Sequence, residues 1–468
     1  MIIMTISQDN KPYRREITRQ ERRFLFSPTS DIALALRIQG QVSEDALRKA
    51  VDKVLVTYPL FGVRLEWVDD DVHWSTTEGA AKVPVKVYPR ESNDSWIDVL
   101  NKEHAIPLRP SKGPLTRFIL IQGTDVSELM IYCHHAISDG RSLEFSLREV
   151  LLHLKDTNRE PPKYPEMPPM TPAIFPKGAA VGKVRAAAIG RFNSKWLREK
   201  VSFDEEDLVN IWEATWKDTE YGLEIIEFDE KETQKLIDVS RENHVTLNST
   251  ILVTFVKARF DAVGRFEDKI RVATTVDART RLQVDCSGGV GFYAGGSFLN
   301  YNYREKSSIW DNIRAYHKDV AKQLKSSKIF SVGADHFVLD QTLVDAIVVA
   351  IVGDQVEPHQ SRHSKLSEFA SRKDGMAAKF GESMSGNSPE IMSTNLGKLN
   401  LPDDIPGIQI DRAFFAPSSA MGMEVVLGVA TTGGKLTITL NYYKGYVDGE
   451  NIRKVRDRGE EILRGLIE

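Results

Sequence analysis

Residues 133–140 read CHHAISDG: two adjacent histidines, His134 and His135, closely followed by the Asp139-Gly140 pair. The chain has only 10 histidines in 468 residues, so the doubling is unusual. On the N-terminal side, FILIQ (118–122) and ELMIYC (128–133) are strand-like apolar runs. On the C-terminal side, Leu143, Leu147, Val150, Leu151 and Leu154 recur at the 3.6-residue period of a helix. The motif therefore lies at a strand-to-helix junction, with Ser138 or Asp139 placed to cap the incoming helix. Two rigid elements hold an exposed loop there, a good setting for chemistry.

Three chemistries fit two adjacent histidines: a general base, a metal site, or a structural turn. Neighbouring residues at a strand end point to opposite faces, so the pair cannot bind one metal through regular strand geometry. No third ligand stands at a metal-like spacing such as HExxH, and no metal site is expected. A division of labour remains, in which one imidazole acts as general base and the other supports the loop. Asp139 would hold the turn through a charge partner, and Gly140 would allow it to be tight. The bland alternative is a structural loop with satisfied imidazoles.

Other nucleophiles find little support. There is no GxSxG elbow, and Cys133 and Cys286 read as small buried residues. The Gly-rich run 288–296 matches neither GxGxxG nor a P-loop, and residues 295–297 read as strand with a bulge.

Composition narrows the function class. At 41% hydrophobic and 27% charged residues, the chain is that of a soluble globular protein. A formal net charge of −4 gives no reason to expect nucleic acid as a partner. Two cysteines make neither a disulfide framework nor a zinc site. No stretch is apolar enough to span a membrane, and the N-terminus lacks the form of a signal peptide. The expectation is a cytoplasmic monomer.

Along the chain, Ser43 caps a helix whose stripe is Ala46, Leu47, Ala50, Val51, Val54 and Leu55, ended by Pro59. A hairpin is predicted from Val63, Leu65 and Trp67 through Asp69–Asp71 to Val72 and Trp74. Residues 158–178 hold seven prolines and form the clearest linker. Beyond it come the strand 222–228, the helix 245–264, the strand 269–279, the segment STNLGKLNLP (393–402), two final strands and a helix over 449–467. Residues 359–390 read as polar and mobile-looking, either a loop over the site or a solvated insertion. The predicted organisation is an N-terminal lobe over 1–160, a linker over 161–180 and a C-terminal lobe over 181–468, each α/β.

His134–Gly140 resembles the HHxxxDG signature of the condensation-domain superfamily of thioester-dependent acyltransferases. That superfamily includes nonribosomal peptide condensation domains, alcohol acetyltransferases, polyketide-associated acyltransferases and the plant BAHD enzymes. The likeness extends along the chain through ITRQERRFLF, the 43–66 helix and strand, TTVDAR (274–279) and STNLG (393–397), all in the expected order. Two departures stand out: the BAHD DFGWG motif is absent, and GFYAGG replaces a G-x-F-x-N-type strand.

The resemblance implies two chloramphenicol-acetyltransferase-like lobes in a V with a tunnel between them. It implies His135 as general base, with His134, Asp139, Gly140 and Arg279 as support, Arg279 being the partner of Asp139. It places Asn395 and Gly397 near the tunnel. With no carrier or adenylation segment read in the given sequence, the expectation is a free-standing enzyme that binds no cofactor. An acyl-CoA or a 4'-phosphopantetheinyl carrier protein would supply the acyl group, and a small alcohol or amine would accept it. The alternative within the family is an idle binding module that docks a carrier protein or recruits an enzyme.

Overall fold

The computed structural model describes residues 12–68, 73–264, 269–352, 364–386, 388–419 and 423–468. It is a mixed α/β structure built on two large sheets and one small one.

The first large sheet has five strands, in the order Gln409–Ala416, Asp31–Gln39, Val126–His134, Thr116–Gln122 and Val85–Pro89. Its neighbours are antiparallel, except that Val85–Pro89 runs parallel to Thr116–Gln122. Asp31–Gln39 shows why a strand forms at its centre. Ile32, Leu34, Leu36 and Ile38 alternate with Ala33 and Ala35, so one face carries large groups and the other small ones. All six are buried, as a strand covered on both faces requires. Helices Glu44–Thr57 and Gly140–Lys155 pack together, and the second of them covers this sheet. Ser43 accepts from the Ala46 N–H at the start of the first helix, and Pro59 opens a 3-10 turn just beyond its end.

The second large sheet has six strands, in the order Ala294–Tyr301, Ile270–Asp277, Ile391–Lys398, Val425–Thr432, Lys435–Lys444 and Glu220–Glu227. Ile391–Lys398 is parallel to both of its neighbours. The helices Leu247–Val263, Ile309–Leu324 and Gly449–Gly465 pack on one another and on this sheet. A small sheet of Arg14–Glu16, His73–Thr76 and Arg64–Trp67 completes the set. Its hairpin strands pair antiparallel, and the turn expected over Asp69–Asp71 and Val72 lies outside the described residues.

One crossing ties the two large sheets together. Gln409–Ala416 leaves the C-terminal half to become the edge strand of the first sheet, antiparallel to Asp31–Gln39. The Phe415 carbonyl accepts from Thr439 Oγ1 at 2.5 Å, so this strand also touches the second sheet. A Cβ at Gly428 would fall 2.3 Å from that carbonyl, which is why the contact point is a glycine. Residues 158–178 contain only the short 3-10 turn Pro172–Ile174.

Two sequence readings need correction. The 359–390 stretch holds the helices Ser364–Ser371 and Met376–Ser385, which pack on helix Gln341–Val352. Leu366, Phe369, Ala370, Met376 and Ala377 are buried. Each helix offers only one or two turns of apolar stripe, too short for the period to stand out among Ser, Lys and Glu. The bulge expected at 295–297 is also absent, because Ala294–Tyr301 pairs with Ile270–Asp277 in unbroken register. Among the described residues, no helix is long and apolar enough to cross a membrane.

Candidate active site

The motif is the end of a central strand followed by a capped helix. His134 is the last residue of strand Val126–His134, in register with Asp31. The backbone holds on for one residue more, with the His135 N–H donating to the Ser30 carbonyl at 2.9 Å. Asp139 is the N-cap of helix Gly140–Lys155, and its Oδ1 accepts from the Ser142 N–H at 2.9 Å.

The two imidazoles sit in different environments and in opposite tautomers. His134 is 1% exposed. Its Nδ1 faces the Ala136 N–H at 3.1 Å, so that nitrogen accepts and the proton lies on Nε2. Burial, with His135 beside it, pushes the His134 imidazole down to about 3, so it stays neutral. His135 is half-buried, and its Nδ1 lies 2.7 Å from the Ser138 carbonyl. A carbonyl can only accept, so Nδ1 carries the proton and Nε2 presents its lone pair. Burial pushes His135 down to about 4; Ser138 and Asp139 pull upward, and Arg23 adds to the fall. Phe24 stacks on the ring at 4.5 Å and Phe292 meets it edge-on at 5.0 Å. These contacts fix the plane of the imidazole.

Asp139 accepts four hydrogen bonds. Its Oδ1 takes the Ser142 N–H, the Ser142 hydroxyl at 2.9 Å and Arg279 Nη2 at 2.8 Å, and its Oδ2 takes the Tyr293 N–H at 2.9 Å. Burial alone would raise this carboxyl, but Arg279 and the two N–H groups hold it below the usual carboxylate range. Arg279 is 1% exposed and also donates to the Gly289 carbonyl at 2.9 Å and to Asp277 Oδ1 at 3.1 Å. The structure thus places Arg279 directly on Asp139, across 140 residues of sequence.

The Gly-rich run supplies the rest of the support. Gly289 faces Arg279, the Gly291 N–H donates to the Ser142 hydroxyl at 3.0 Å, and the Tyr293 N–H donates to Asp139. Gly291 has φ +143°, a conformation that favours glycine. The sequence signal was the run itself, which matches no nucleotide loop; that its backbone must approach the motif closely could not be read from spacing. Phe24 stood in the ITRQERRFLF segment, but nothing in its local pattern aims it at His135.

Gly140 corrects another expectation. It is the first residue of a helix and has no positive φ, so it makes no tight turn. A Cβ there would lie 2.6 Å from Leu396 Cδ2 and 2.8 Å from Phe415 Cζ. The glycine makes room for those two buried side chains. Leu396 belongs to strand Ile391–Lys398, which also carries Asn395 and Gly397, so that strand of the second sheet touches the start of the motif helix. Asn395 makes no hydrogen bond to the histidines among the described residues: its Oδ1 accepts from the Gly397 N–H at 2.6 Å and its Nδ2 approaches Asn248 at 3.4 Å. Gly397 has φ +64°, beside the register shift between Asn395 and Lys398. Cys133 is buried, its Sγ 3.2 Å from Thr116 Oγ1, and burial pushes its thiol up to about 12.

Comparisons with known proteins bear on this geometry. Residues 24–171 match the family model of the Condensation domain. A comparison with curated proteins gives no significant match. The trichothecene 15-O-acetyltransferase of Fusarium sporotrichioides is structurally similar, with a TM-score of 0.64 and 10% identity over 97% of this chain and 96% of that one. The epimerization domain from the third module of tyrocidine synthetase B gives 0.63 and 13%, over 99% and 98%. Polyketide synthase associated protein 5 from Mycobacterium tuberculosis gives 0.59 and 15%, over 96% and 98%. Residues 24–171 thus match the condensation-domain family in sequence, and the fold is similar to these solved structures over nearly the whole chain.

Proposed function

We propose that this protein is an acyltransferase that moves an acyl group from a thioester to a hydroxyl or amine, with His135 as general base. The observation that carries the reading is the state of the His135 ring. Its Nδ1–H is spent on the Ser138 carbonyl, and its Nε2 has no hydrogen-bond partner among the described residues. A neutral imidazole with a free lone pair on a half-buried surface is what proton abstraction requires. The similarity to an O-acetyltransferase supports the same reaction class.

In this mechanism the acceptor O–H or N–H gives its proton to His135 Nε2 as the acceptor attacks the thioester carbonyl. The C–S bond then breaks, and the imidazolium returns the proton to the departing thiolate. The enzyme supplies proximity and proton transfer, and the thioester supplies the activation. Asp139 and Arg279 are positioning residues: they anchor the loop whose Ser138 carbonyl fixes the His135 tautomer. Acyl-CoA and acyl-phosphopantetheinyl carrier protein are the two donor classes that this chemistry accepts.

The test incubates the protein with each donor class and a panel of alcohols and amines, and follows thiol release. His135→Ala is expected to lose on the order of 10²–10⁴ in rate with the fold intact. Full turnover by a folded His135→Ala protein would overturn the assignment.

A further inference from the structure

The arginines around the site are not alike. Arg15 pairs with Glu21 at 2.7 Å, Arg22 with Asp345 at 2.8 Å and Arg279 with Asp139 at 2.8 Å. Arg23, between them in sequence and next to Phe24, has no carboxylate and no hydrogen-bond acceptor among the described residues. Its guanidinium carbon lies 4.6 Å from the Phe24 ring centroid and 5.2 Å from that of Phe292. These are the two rings that hold His135, so one aromatic layer separates the free cation from the proposed base.

Further polar groups near this arginine are left without protein partners. His336, at the end of helix Ser331–His336, is half-buried, its Nδ1 has no hydrogen bond, and it feels the charge of Arg23. Gln20, one turn before Arg23, keeps a buried Oε1 without a partner, and its amide lies against Gly333 of the same helix. Burial brings Arg23 down to about 10, which leaves it charged at neutral pH. A partly desolvated cation with open donors and no counter-charge is a costly arrangement, and a bound anion offsets it.

We infer that Arg23 binds a carboxylate, and that the substrate brought to His135 carries one. The second clause rests on the acyl-transfer reading; the first does not. A carboxylate fits because one guanidinium offers one charge and a planar fork that matches two carboxylate oxygens. A phosphate dianion would leave a net negative charge here, since His135 and His336 are neutral and the other arginines are already paired. Stacking on two rings leaves the guanidinium poorly hydrated, which strengthens its bond to an anion that reaches it.

The test uses phenylacetate and phenylacetamide, which share a shape and differ in charge, titrated calorimetrically into the full chain at neutral pH. The wild-type protein is expected to bind the acid about 10- to 100-fold more tightly than the amide, as for a charge-assisted hydrogen-bonded pair. Arg23→Leu is expected to lose the preference, and Arg23→Lys to keep part of it. Thermal denaturation checks the variants, and Arg23→Gln replaces Arg23→Leu if that protein does not fold. Equal binding of acid and amide, no binding of either, or a preference that survives without Arg23 would overturn the inference. Tighter binding of inorganic phosphate than of phenylacetate would overturn the carboxylate assignment. Thiol release is followed separately with hydroxy acids and their amides as acceptors. Acid-selective binding without release supports the Arg23 site and overturns the transfer reading, whereas release indifferent to Arg23 does the reverse.

Discussion

The Asp139–Arg279 pair allows a quantitative test of how the motif loop is held. In Asp139→Asn the amide still caps the helix, because Asn is as good an N-cap as Asp. It cannot serve all four donors. With its oxygen toward Ser142 and Arg279, its NH₂ faces the Tyr293 N–H, now donor against donor. One orphaned buried donor costs about 1–3 kcal/mol, and losing the charge on the Arg279 bond costs about 1 kcal/mol more, together roughly 2–4 kcal/mol. Arg279→Met should cost more, about 3–5 kcal/mol, because it strands a buried carboxylate. The asymmetry follows from Asp277, which stays 3.1 Å from Arg279 when Asp139 is neutralised, whereas among the described residues Asp139 has no second cation bonded to it. The double variant leaves no stranded charge, so it should be less damaged than the sum of the singles by about 2 kcal/mol, within the usual range for coupled neighbours. Urea unfolding of the four proteins, followed by fluorescence of the 7 tryptophans, measures this. Additivity within about 0.5 kcal/mol would refute the argument. The exposed Lys82–Asp52 pair, with an N···O distance of 3.3 Å, should show no resolvable coupling and serves as control.

Two further outcomes are expected. The acid limb of kcat/KM should fall near pH 4 rather than near 6.5, because burial depresses His135 and only its neutral form accepts a proton. Activity is therefore held above that value and lost as pH falls through it. A limb at 6.5 in protein shown to be folded by circular dichroism would contradict the burial argument. Gly140→Ala should destabilise by about 1–3 kcal/mol through overpacking against Leu396 and Phe415, with the helix cap intact. Unchanged or raised stability would show that those side chains can move aside.

Much of this molecule was legible along the chain. The apolar alternation of 31–39 and the stripes of 44–57 and 140–155 follow from local periodicity, so the strand-to-helix setting of the histidines could be read directly. The short helices of 364–385 could not, because a stripe of one or two turns looks the same as scattered apolar residues in a polar segment. Gly140 was read as a turn because Asp-Gly is a turn signal; its real constraint comes from Leu396 and Phe415, far away in sequence.

The sequence by itself determined that two histidines stand where a rigid strand meets a capped helix, that neighbouring strand residues diverge, and that Asp139 needs a charge partner. Only the tertiary structure decided how each of them is held. The tautomer of His135 depends on the Ser138 carbonyl in the folded loop, and its plane on Phe24 and Phe292, which come from segments 268 residues apart in number. The contrast between a paired Arg22 and an Arg23 unpaired among the described residues depends on where Asp345 falls. Periodicity and capping are local and can be read from spacing. Hydrogen-bond partners and counter-charges at a site are set by contacts between distant segments, which spacing does not encode.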